Sequence, residues 1–423
     1  MNTSTNPTGT SLPAIFALIF NWRLLVQFFL GLSSGLPLML TGSTLQAWMT
    51  NANVDLKTIG LFAFVGLPYT LKFLWSPILD RFAPPFLDRR RGWMALTQIA
   101  TGVSIWGLGL CNPAQSTFLV ALMALVCTFF SATQDIVVDA YRREILKDEE
   151  LGLGSSFYVN GYRVAMAISG ALALMLADQI PWHSVYLVMG LLMGAMVIVT
   201  LLAPKAPTVA GAPRNFKEAV VLPFKEYFNQ KDAWWMLAFI LFYKVGDSMA
   251  SNMTMPLYLS AGFSKTEVGL VVKGLGLAAT LIGGFVGGVI ILRLKLNRSL
   301  WLFGFLQAIS TAGFTLVAWL PKSNAILSGV ICFENVTAGM GTAAFVAFMA
   351  SLTDKRFTAT QYALLSSLMG VPRVVVSAPA GIMVEMMGYG SFFIFCTIIA
   401  VPGLLLLHKF APWQQIFQPM AKN

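Results

Sequence analysis

Nine ionisable residues lie within stretches of sequence that are otherwise apolar. They comprise five bases and four acids: Lys72, Asp135, Asp139, Arg163, Lys244, Asp247, Lys273, Glu334 and Arg373. If these stretches cross a bilayer, each charge costs roughly 3 kcal/mol at the bilayer centre, so it should face a partner or an aqueous cavity. A helix bundle with only a structural role would gain nothing from placing nine charges at bilayer depth. The pattern therefore predicts a polar pathway through a bundle of membrane helices.

The first acidic pair is a candidate for proton coupling. Asp135 and Asp139 are four residues apart, so they share one face of a helix. A structural alternative stays open, because Asp139 lies near the end of its helix and could pair with Arg142 or Arg143.

A second candidate proton site lies in the other half of the chain. Glu334 has no basic residue near it in the sequence. Desolvation there would favour the protonated carboxyl group, as a reversible proton carrier requires. Asp247 shares a helix face with Lys244 and is a further proton-coupling candidate, while Lys244 could bind an anionic solute. The alternative for Glu334 is a structural ion pair with a base on another helix.

Two arginines are candidates for binding an anion. Arg163 and Arg373 carry guanidinium groups that can bind a carboxylate bidentately, which indicates an anionic solute. Gln134, Asn160 and Tyr162 could hydrogen-bond hydroxyl and amide groups of the same solute. Alternatively, each arginine neutralises a buried acid of its own half.

The composition is that of a polytopic membrane protein. Of 423 residues, 57% are apolar and 11% are charged, against roughly a quarter charged in a soluble domain. A membrane helix needs about 20 predominantly apolar residues. Twelve such runs are predicted, at residues 22–48, 58–79, 93–111, 116–141, 155–177, 184–203, 233–258, 266–292, 299–320, 325–352, 360–387 and 391–410.

The basic residues predict the orientation of the chain. With alternating helices, 20 of the 28 Lys and Arg residues fall on one side, whereas only Lys57, Lys265 and Lys322 fall in loops on the other. The positive-inside rule then places both termini in the cytoplasm. The net charge of +10 is explained by this topology, so we expect no nucleic-acid partner and a lipid bilayer as the surroundings.

The polar stretch 204–232 predicts two six-helix halves, 22–203 and 233–410, with an interfacial segment 1–21, a cytoplasmic central loop and a cytoplasmic tail 411–423. Gly60 and Gly269 occupy similar sequence contexts 209 residues apart, and Arg163 and Arg373 are 210 apart. Parallel halves of this kind build one class of transporter. Four glycines of predicted helix 8 form a small-residue face for close helix packing: Gly283, Gly284, Gly287 and Gly288.

The loop after predicted helix 2 resembles a motif of the major facilitator superfamily. Asp80 and Arg81 are followed by basic residues at 89–91, although Ser76 replaces the usual glycine and the loop is longer. In that superfamily such charges lock one gate. The resemblance makes Asp80, Arg81 and the nearby Arg142 gating candidates.

Longer strings resemble the AmpG family of muropeptide permeases. They are TLQAWMTNANVDLKTIG (44–60), KFLWSPILDRFAPPFLDRRRGW (72–93), SATQDIVVDAYRREIL (131–146) and GYR (161–163). Membrane insertion does not demand the polar residues within them, so the strings are specific. They cover most of the first half, and the second half resembles the family more diffusely.

The resemblance implies an all-α bundle of twelve helices in the bacterial inner membrane. Its implied function is proton-driven import of N-acetylglucosaminyl-1,6-anhydro-N-acetylmuramic acid, with or without its stem peptide, for cell-wall recycling, which controls β-lactamase induction in some bacteria. The peptide carboxylates would meet Lys72, Arg163 or Arg373, and the sugar would meet Gln134 and Asn160.

Other functions remain open on the sequence. Related eukaryotic proteins suggest another anionic conjugate, such as an acyl-coenzyme A, as the solute. A membrane enzyme or a non-transporting sensor is a further class, but the two histidines, His183 and His408, are isolated and no paired metal motif is present. We expect no cofactor, no metal and no catalytic residue, and we expect the chain to act as a monomer.

Overall fold

The computed structural model describes residues 21–207, 216–230, 232–375, 379–411 and 413, and the secondary structure of these residues is helical throughout. The predicted segment 1–21, apart from Asn21, and nearly all of the predicted tail lie outside the described residues. The membrane helices are α1 (Trp22–Asn51), α2 (residues 56–81), α3 (Arg89–Gly109), α4 (Thr117–Ile145), α5 (Leu151–Ala177), α6 (Trp182–Leu202), α7 (Ala233–Phe242 and Val245–Ser260), α8 (residues 265–294), α9 (residues 296–319), α10 (Asn324–Ser351), α11 (Thr358–Val375 and residues 380–387) and α12 (residues 389–410). A loop helix, Phe216–Phe228, lies between the halves of the sequence.

Seven helical stretches of the described residues are individually long and apolar enough to cross a bilayer. One of them, Gly269–Trp319, contains both α9 and most of α8. The chain turns between these two at Lys295, whose φ of 65° lies in the left-handed region. The all-helical membrane bundle predicted from the sequence is therefore confirmed.

The second predicted membrane helix, at residues 58–79, corresponds to α2 at residues 56–81, and its backbone is irregular. α2 consists of short α segments joined by 3₁₀ turns at Phe62–Gly66 and Lys72–Leu74. Pro68 and Pro77 interrupt the ladder of hydrogen bonds because proline has no N–H to donate. In the second half, α8 likewise begins irregularly, with π-helical turns over Gly269–Leu275. The second helix of each half is therefore irregular.

Glycines let α1 and α5 approach at backbone distance. A Cβ added to Gly31 would lie 2.0 Å from the carbonyl oxygen of Tyr158, and one added to Gly161 would lie 1.9 Å from that of Phe28. Only a residue without a side chain fits at either position. The two helices consequently pack as one rigid pair.

The small-residue face predicted for helix 8 is confirmed. A Cβ on Gly283 would lie 2.1 Å from the carbonyl oxygen of Val336 in α10, and one on Gly284 would lie 2.5 Å from the side-chain oxygen of Asn160 in α5. The two rows of glycines thus serve two neighbours. One row packs α8 against α10 within its own half, and the other packs it against α5 of the first half.

We expect Gly161→Val to destabilise the protein by roughly 2 kcal/mol, because the new side chain collides with rigid backbone. The apparent melting temperature of the purified protein in detergent should fall by about 5 °C. Gly194→Val is the matched control, since a Cβ at Gly194 meets nothing within 4 Å. Equal melting temperatures for the two variants would contradict the α1–α5 packing.

Candidate functional site

The bundle has two ends with different chemistry. One end, which we call the basic end, is formed by the loops at residues 81–89, 146–150, 293–298 and 352–357. The other end, which we call the opposite end, is formed by the loops at residues 52–55, 110–116, 178–181, 261–264 and 320–323. The candidate residues lie between the two ends in two clusters, one in each half.

The first-half cluster contains Lys72 of α2 and the acids of α4. Asp139 accepts a 2.8 Å hydrogen bond from Arg142, and its other oxygen lies 4.0 Å from the ammonium group of Lys72. Asp139 therefore forms the ion pair with Arg142 that the sequence analysis gave as the structural alternative. Asp135, one turn away, is buried with its Oδ1 unpaired within the described part of the chain. Of the two acids, Asp135 is the less neutralised.

Arg142 joins the two halves. Its side chain is completely buried, and its Nη2 donates to Asp139 and, at 2.9 Å, to the hydroxyl oxygen of Tyr362 in α11. The guanidinium carbon also lies 4.3 Å from the ring centroid of Tyr158 and 5.4 Å from that of Tyr362. The two aromatic faces offset part of the cost of removing the guanidinium group from water, while its Nε and Nη1 have no hydrogen-bond partner among the described residues.

Asp80 forms the second connection between the halves, at the basic end. Its carboxylate accepts backbone N–H bonds from Ala359 and Thr360 and a 2.8 Å hydrogen bond from the Thr360 hydroxyl. These donors belong to the N-terminus of α11, where the helix dipole favours a negative charge. Arg90 holds the carboxylate at 2.8 Å and is itself held by Glu144 at 2.5 Å.

Arg81, a gating candidate, does not contact Asp80 in this arrangement. Its guanidinium carbon lies 5.5 Å from the ring centroid of the neighbouring Phe82. The cation that pairs with Asp80 is Arg90 at the start of α3, one of the basic residues at 89–91.

The loop helix, Phe216–Phe228, also contacts the basic end. Glu226 forms an ion pair with Arg356, and the Pro223 carbonyl oxygen accepts a 3.0 Å hydrogen bond from the side chain of Gln361 in α11. Hydrogen bonds to Asp354 and the charge of Glu226 raise the pKa of Arg356 above its ordinary value. The loop helix is thereby fixed to the second half.

The second-half cluster brings together Lys244, Asp247 and Glu334. Lys244 donates to Asp247 at 3.2 Å and to the side-chain oxygen of Gln307 in α9 at 3.0 Å. Glu334 of α10 accepts a hydrogen bond from Ser310 and lies close enough to Asp247 for the two carboxyl groups to interact directly. Two helices, α7 and α10, thus supply one base and two acids to a single site, and α9 adds the polar side chains of Gln307 and Ser310.

The arginine candidates are placed differently from one another. Arg163 of α5 is partly buried, and the acid that acts electrostatically on it is Asp247, which belongs to the other half. Tyr162 beside it is also partly buried, with its ring centroid 6.3 Å from that of Tyr158. Arg373 lies in α11, but its side chain is outside the described residues.

Gln134 and Asn160 are engaged in contacts between helices. Gln134 donates a 2.8 Å hydrogen bond to Ser33 of α1. Asn160 donates a 3.2 Å hydrogen bond to the carbonyl oxygen of Leu281 in α8, and Ser156, one turn away, donates at 2.5 Å to that of Gly284. Each amide nevertheless keeps a buried oxygen that is unpaired within the described residues.

The described contacts between the halves lie toward the basic end. They involve the ends of α2 and α4 with the start of α11, and residues 152–160 of α5 with residues 281–291 of α8. The arrangement is a bundle closed at its basic end.

Several residues of these clusters were missed by sequence reasoning. Tyr362, Glu144, Ser310 and Gln307 lie far in sequence from the charges that they contact, and polar side chains in apolar helices were the available signal. Within the described residues, no group of three His, Cys, Asp or Glu side chains could hold a metal ion.

Comparisons with known proteins give a consistent result. Residues 24–371 match the family model described as Major Facilitator Superfamily. The anhydromuropeptide permease of Escherichia coli K12 is 46% identical over 387 residues, which cover 91% of this chain and 79% of that protein.

Two solved structures share the fold at low sequence identity. The human organic anion transporter MFSD10 (TETRAN) is 15% identical with a TM-score of 0.64, over 92% of this chain and 98% of that one. The proton:xylose symporter XylE is 11% identical with a TM-score of 0.66, over 94% of this chain and 96% of that one.

We expect Asp80→Asn to loosen the basic end, because a neutral amide loses its charge-assisted bonds to Arg90 and to the α11 N-terminus. The open-to-closed ratio should rise about tenfold. Spin labels at Ala83 and Lys355, which are exposed in different halves, would report it as a longer-distance population in a pulsed electron-spin measurement on a cysteine-free background.

Asp88→Asn is the matched control, because Asp88 pairs with Arg91 inside the first half. An Asp80→Asn distance distribution that coincides with that of the control would contradict a gating role for Asp80.

Proposed function

Because the chain belongs to the major facilitator superfamily and to the family of the anhydromuropeptide permease, we propose that it imports anhydro-muropeptides by proton-coupled alternating access. The solute is N-acetylglucosaminyl-1,6-anhydro-N-acetylmuramic acid, with or without its stem peptide, and the direction is from periplasm to cytoplasm. The observation that carries the proposal is the 46% identity with that permease over 91% of this chain. In this role the protein serves cell-wall recycling and contributes to β-lactamase induction.

The basic end faces the cytoplasm in this proposal, and both termini lie there. The support is the excess of Lys and Arg in the loops of that end. Since the described contacts between the halves lie toward the same end, the conformation is outward-facing. The Asp80–α11 and Arg142–Tyr362 contacts are then the gate that must open before the solute reaches the cytoplasm.

The solute lies between the two clusters, where both halves contribute charge. Lys72, Arg163 and Lys244 supply positive charge for stem-peptide carboxylates, and Arg373, whose side chain lies outside the described residues, is proposed for the same role from its sequence alone. Asn160 and Gln134 hold helices together in the outward-facing state. Each keeps an unpaired buried oxygen that can accept a hydrogen bond from an amide group of the solute, and that of Asn160 becomes available when α5 and α8 separate.

The acids of the two clusters carry the proton. Asp247 and Glu334 lie side by side, and two neighbouring carboxyl groups repel each other unless they share a proton. Protonation leaves Lys244 with one acid partner and makes the site neutral, which lowers the free energy of moving it through the bilayer interior. Asp135 provides a second acid in the first half, beside Asp139, which forms the ion pair with Arg142.

Uptake measurements test the function directly. Right-side-out vesicles from cells without their own permease should accumulate radiolabelled anhydro-muropeptide when they contain this protein, and a protonophore should abolish the accumulation. Excess unlabelled anhydro-muropeptide should compete, whereas an acyl-coenzyme A should not. Absence of uptake in vesicles that contain folded protein would refute the substrate, and competition by the coenzyme A ester would favour the alternative solute.

Substitutions of single acids test the coupling. We expect Glu334→Gln to reduce proton-driven accumulation about a hundredfold, within the range for loss of a proton-transfer group, while exchange of labelled for unlabelled solute without a gradient persists. Asp135→Asn should reduce accumulation as well. The controls are Glu385→Gln and Asp178→Asn, which change exposed acids outside the clusters. Normal accumulation by both cluster variants would contradict the assignment.

A further inference from the structure

Tryptophans and cations gather at the basic end where three helices of the second half meet. The tryptophan patch comprises the first turn of α7, the first turn of α9 and the end of α12 with the residues that follow it: Trp234, Trp235, Arg298, Trp301, Lys409 and Trp413. These residues take no part in either of the charge clusters. They come from positions up to 179 residues apart in the sequence, so the fold alone brings them together.

The cations of the patch are held on aromatic faces. The ammonium nitrogen of Lys409 lies 5.7 Å from the ring centroid of Trp235, and the guanidinium carbon of Arg298 lies 5.9 Å from that of Trp413. Arg298 also donates a 3.1 Å hydrogen bond to the Trp413 carbonyl oxygen, and Trp301 donates one of 3.0 Å to that of Ala411. These contacts orient both cations without neutralising either of them.

The charge of the patch is uncompensated within the described part of the chain. Elsewhere at the basic end, Arg90, Arg143 and Arg356 each form an ion pair with an acid. Arg298 and Lys409 form none among the described residues. A guanidinium group has five N–H donors, and the carbonyl of Trp413 uses one of those of Arg298, so the remaining donors can reach an external anion.

The surface beside the patch is that of a lipid-facing helix bundle. Phe242 of α7 is 47% exposed and Leu405 of α12 is 63% exposed, one to two turns deeper in the bilayer than the cations. Trp234 and Trp235 are 71% and 48% exposed at the start of the same membrane helix. Tryptophan at a helix end lies at the level of lipid head groups. A ligand for this surface needs an anionic group that contacts the patch and apolar chains that cover Phe242 and Leu405. An anionic phospholipid has both.

We propose that the tryptophan patch is a binding site for an anionic phospholipid, whose phosphodiester contacts Arg298 and Lys409 and whose acyl chains lie on α7 and α12. Lys409 and Trp413 are four residue steps apart, so their Cα atoms are separated by at most about 14 Å, and the Trp413 ring holds Arg298. A head group with two phosphodiesters has one anionic group for each of the two cations. The site stabilises the end of α12 against α7 and α9, independently of which solute the protein transports.

Native mass spectrometry of the delipidated full-length protein tests the site. Diphosphatidylglycerol and phosphatidylglycerol should bind more tightly than phosphatidylcholine, and Arg298→Gln/Lys409→Gln should weaken binding of the anionic lipids about tenfold. The matched control is Lys147→Gln/Lys355→Gln, which removes two exposed cations from the same end outside the patch. If the double variant does not fold, Lys409→Gln alone can be measured instead. The contact described for the Lys409 side chain is with the Trp235 ring, so this single change should disturb the fold least.

Three outcomes would overturn the proposal. They are equal lipid affinity for the patch variant and the control, equal affinity of the native protein for anionic lipids and phosphatidylcholine, and displacement of the lipid by inorganic phosphate. The last would indicate a general anion site rather than a lipid site. Trp235→Leu keeps both charges, so a loss of anionic-lipid preference in this variant would support the aromatic part of the site.

Discussion

The low dielectric of the bilayer interior imposes one constraint on this molecule: each charge inside it must be held by an opposite charge, by an aromatic face or by water. Arg142 shows how far this is met, since it is fully buried between Asp139, Tyr158 and Tyr362. In the other half, Lys244 is held by Asp247 and Gln307. The helices are arranged so that each buried charge lies next to its partner, and the contacts between the two halves depend on that arrangement.

The closed end combines tight packing with polar contacts. Glycines on α8 bring the backbones of α5, α8 and α10 close together, which gives geometric precision. The hydrogen bonds across the halves are different in kind, because Ser156, Asn160 and Asp80 all bind backbone groups of the opposite half. Water can replace such bonds at small net cost. A gate made in this way can be specific and still open.

The features that could be predicted from the sequence are those determined by residues close together along the chain. The apolar runs predicted the membrane helices, because the thickness of the bilayer sets their length. The spacing of three between Asp139 and Arg142 allowed their ion pair. The glycine row on α8 predicted close packing, since no other residue permits backbone contact at that distance.

Contacts between segments that are distant in the sequence could not be predicted from local sequence patterns. Glu334 contacts Ser310 and Asp247 on other helices, and no feature of the sequence near Glu334 predicts these partners. The motif resemblance gave Asp80 a set of basic residues at 89–91, but only the structure shows that Arg90 is the one that pairs with it. The breaks in α2 follow from prolines and from its contacts with α4, where Thr128 binds the Val65 carbonyl oxygen at 2.8 Å. Such features are set by tertiary structure, which the sequence pattern does not reveal.

The central claim is that solute and proton cross the membrane together through the pathway formed by these charges. It is tested most directly with purified protein in liposomes that contain a pH-sensitive dye and have no imposed gradient. Addition of anhydro-muropeptide outside should acidify the interior as the solute enters, and Glu334→Gln should abolish the acidification while solute still equilibrates. Entry of the solute into liposomes of the native protein with no change of internal pH would contradict the account.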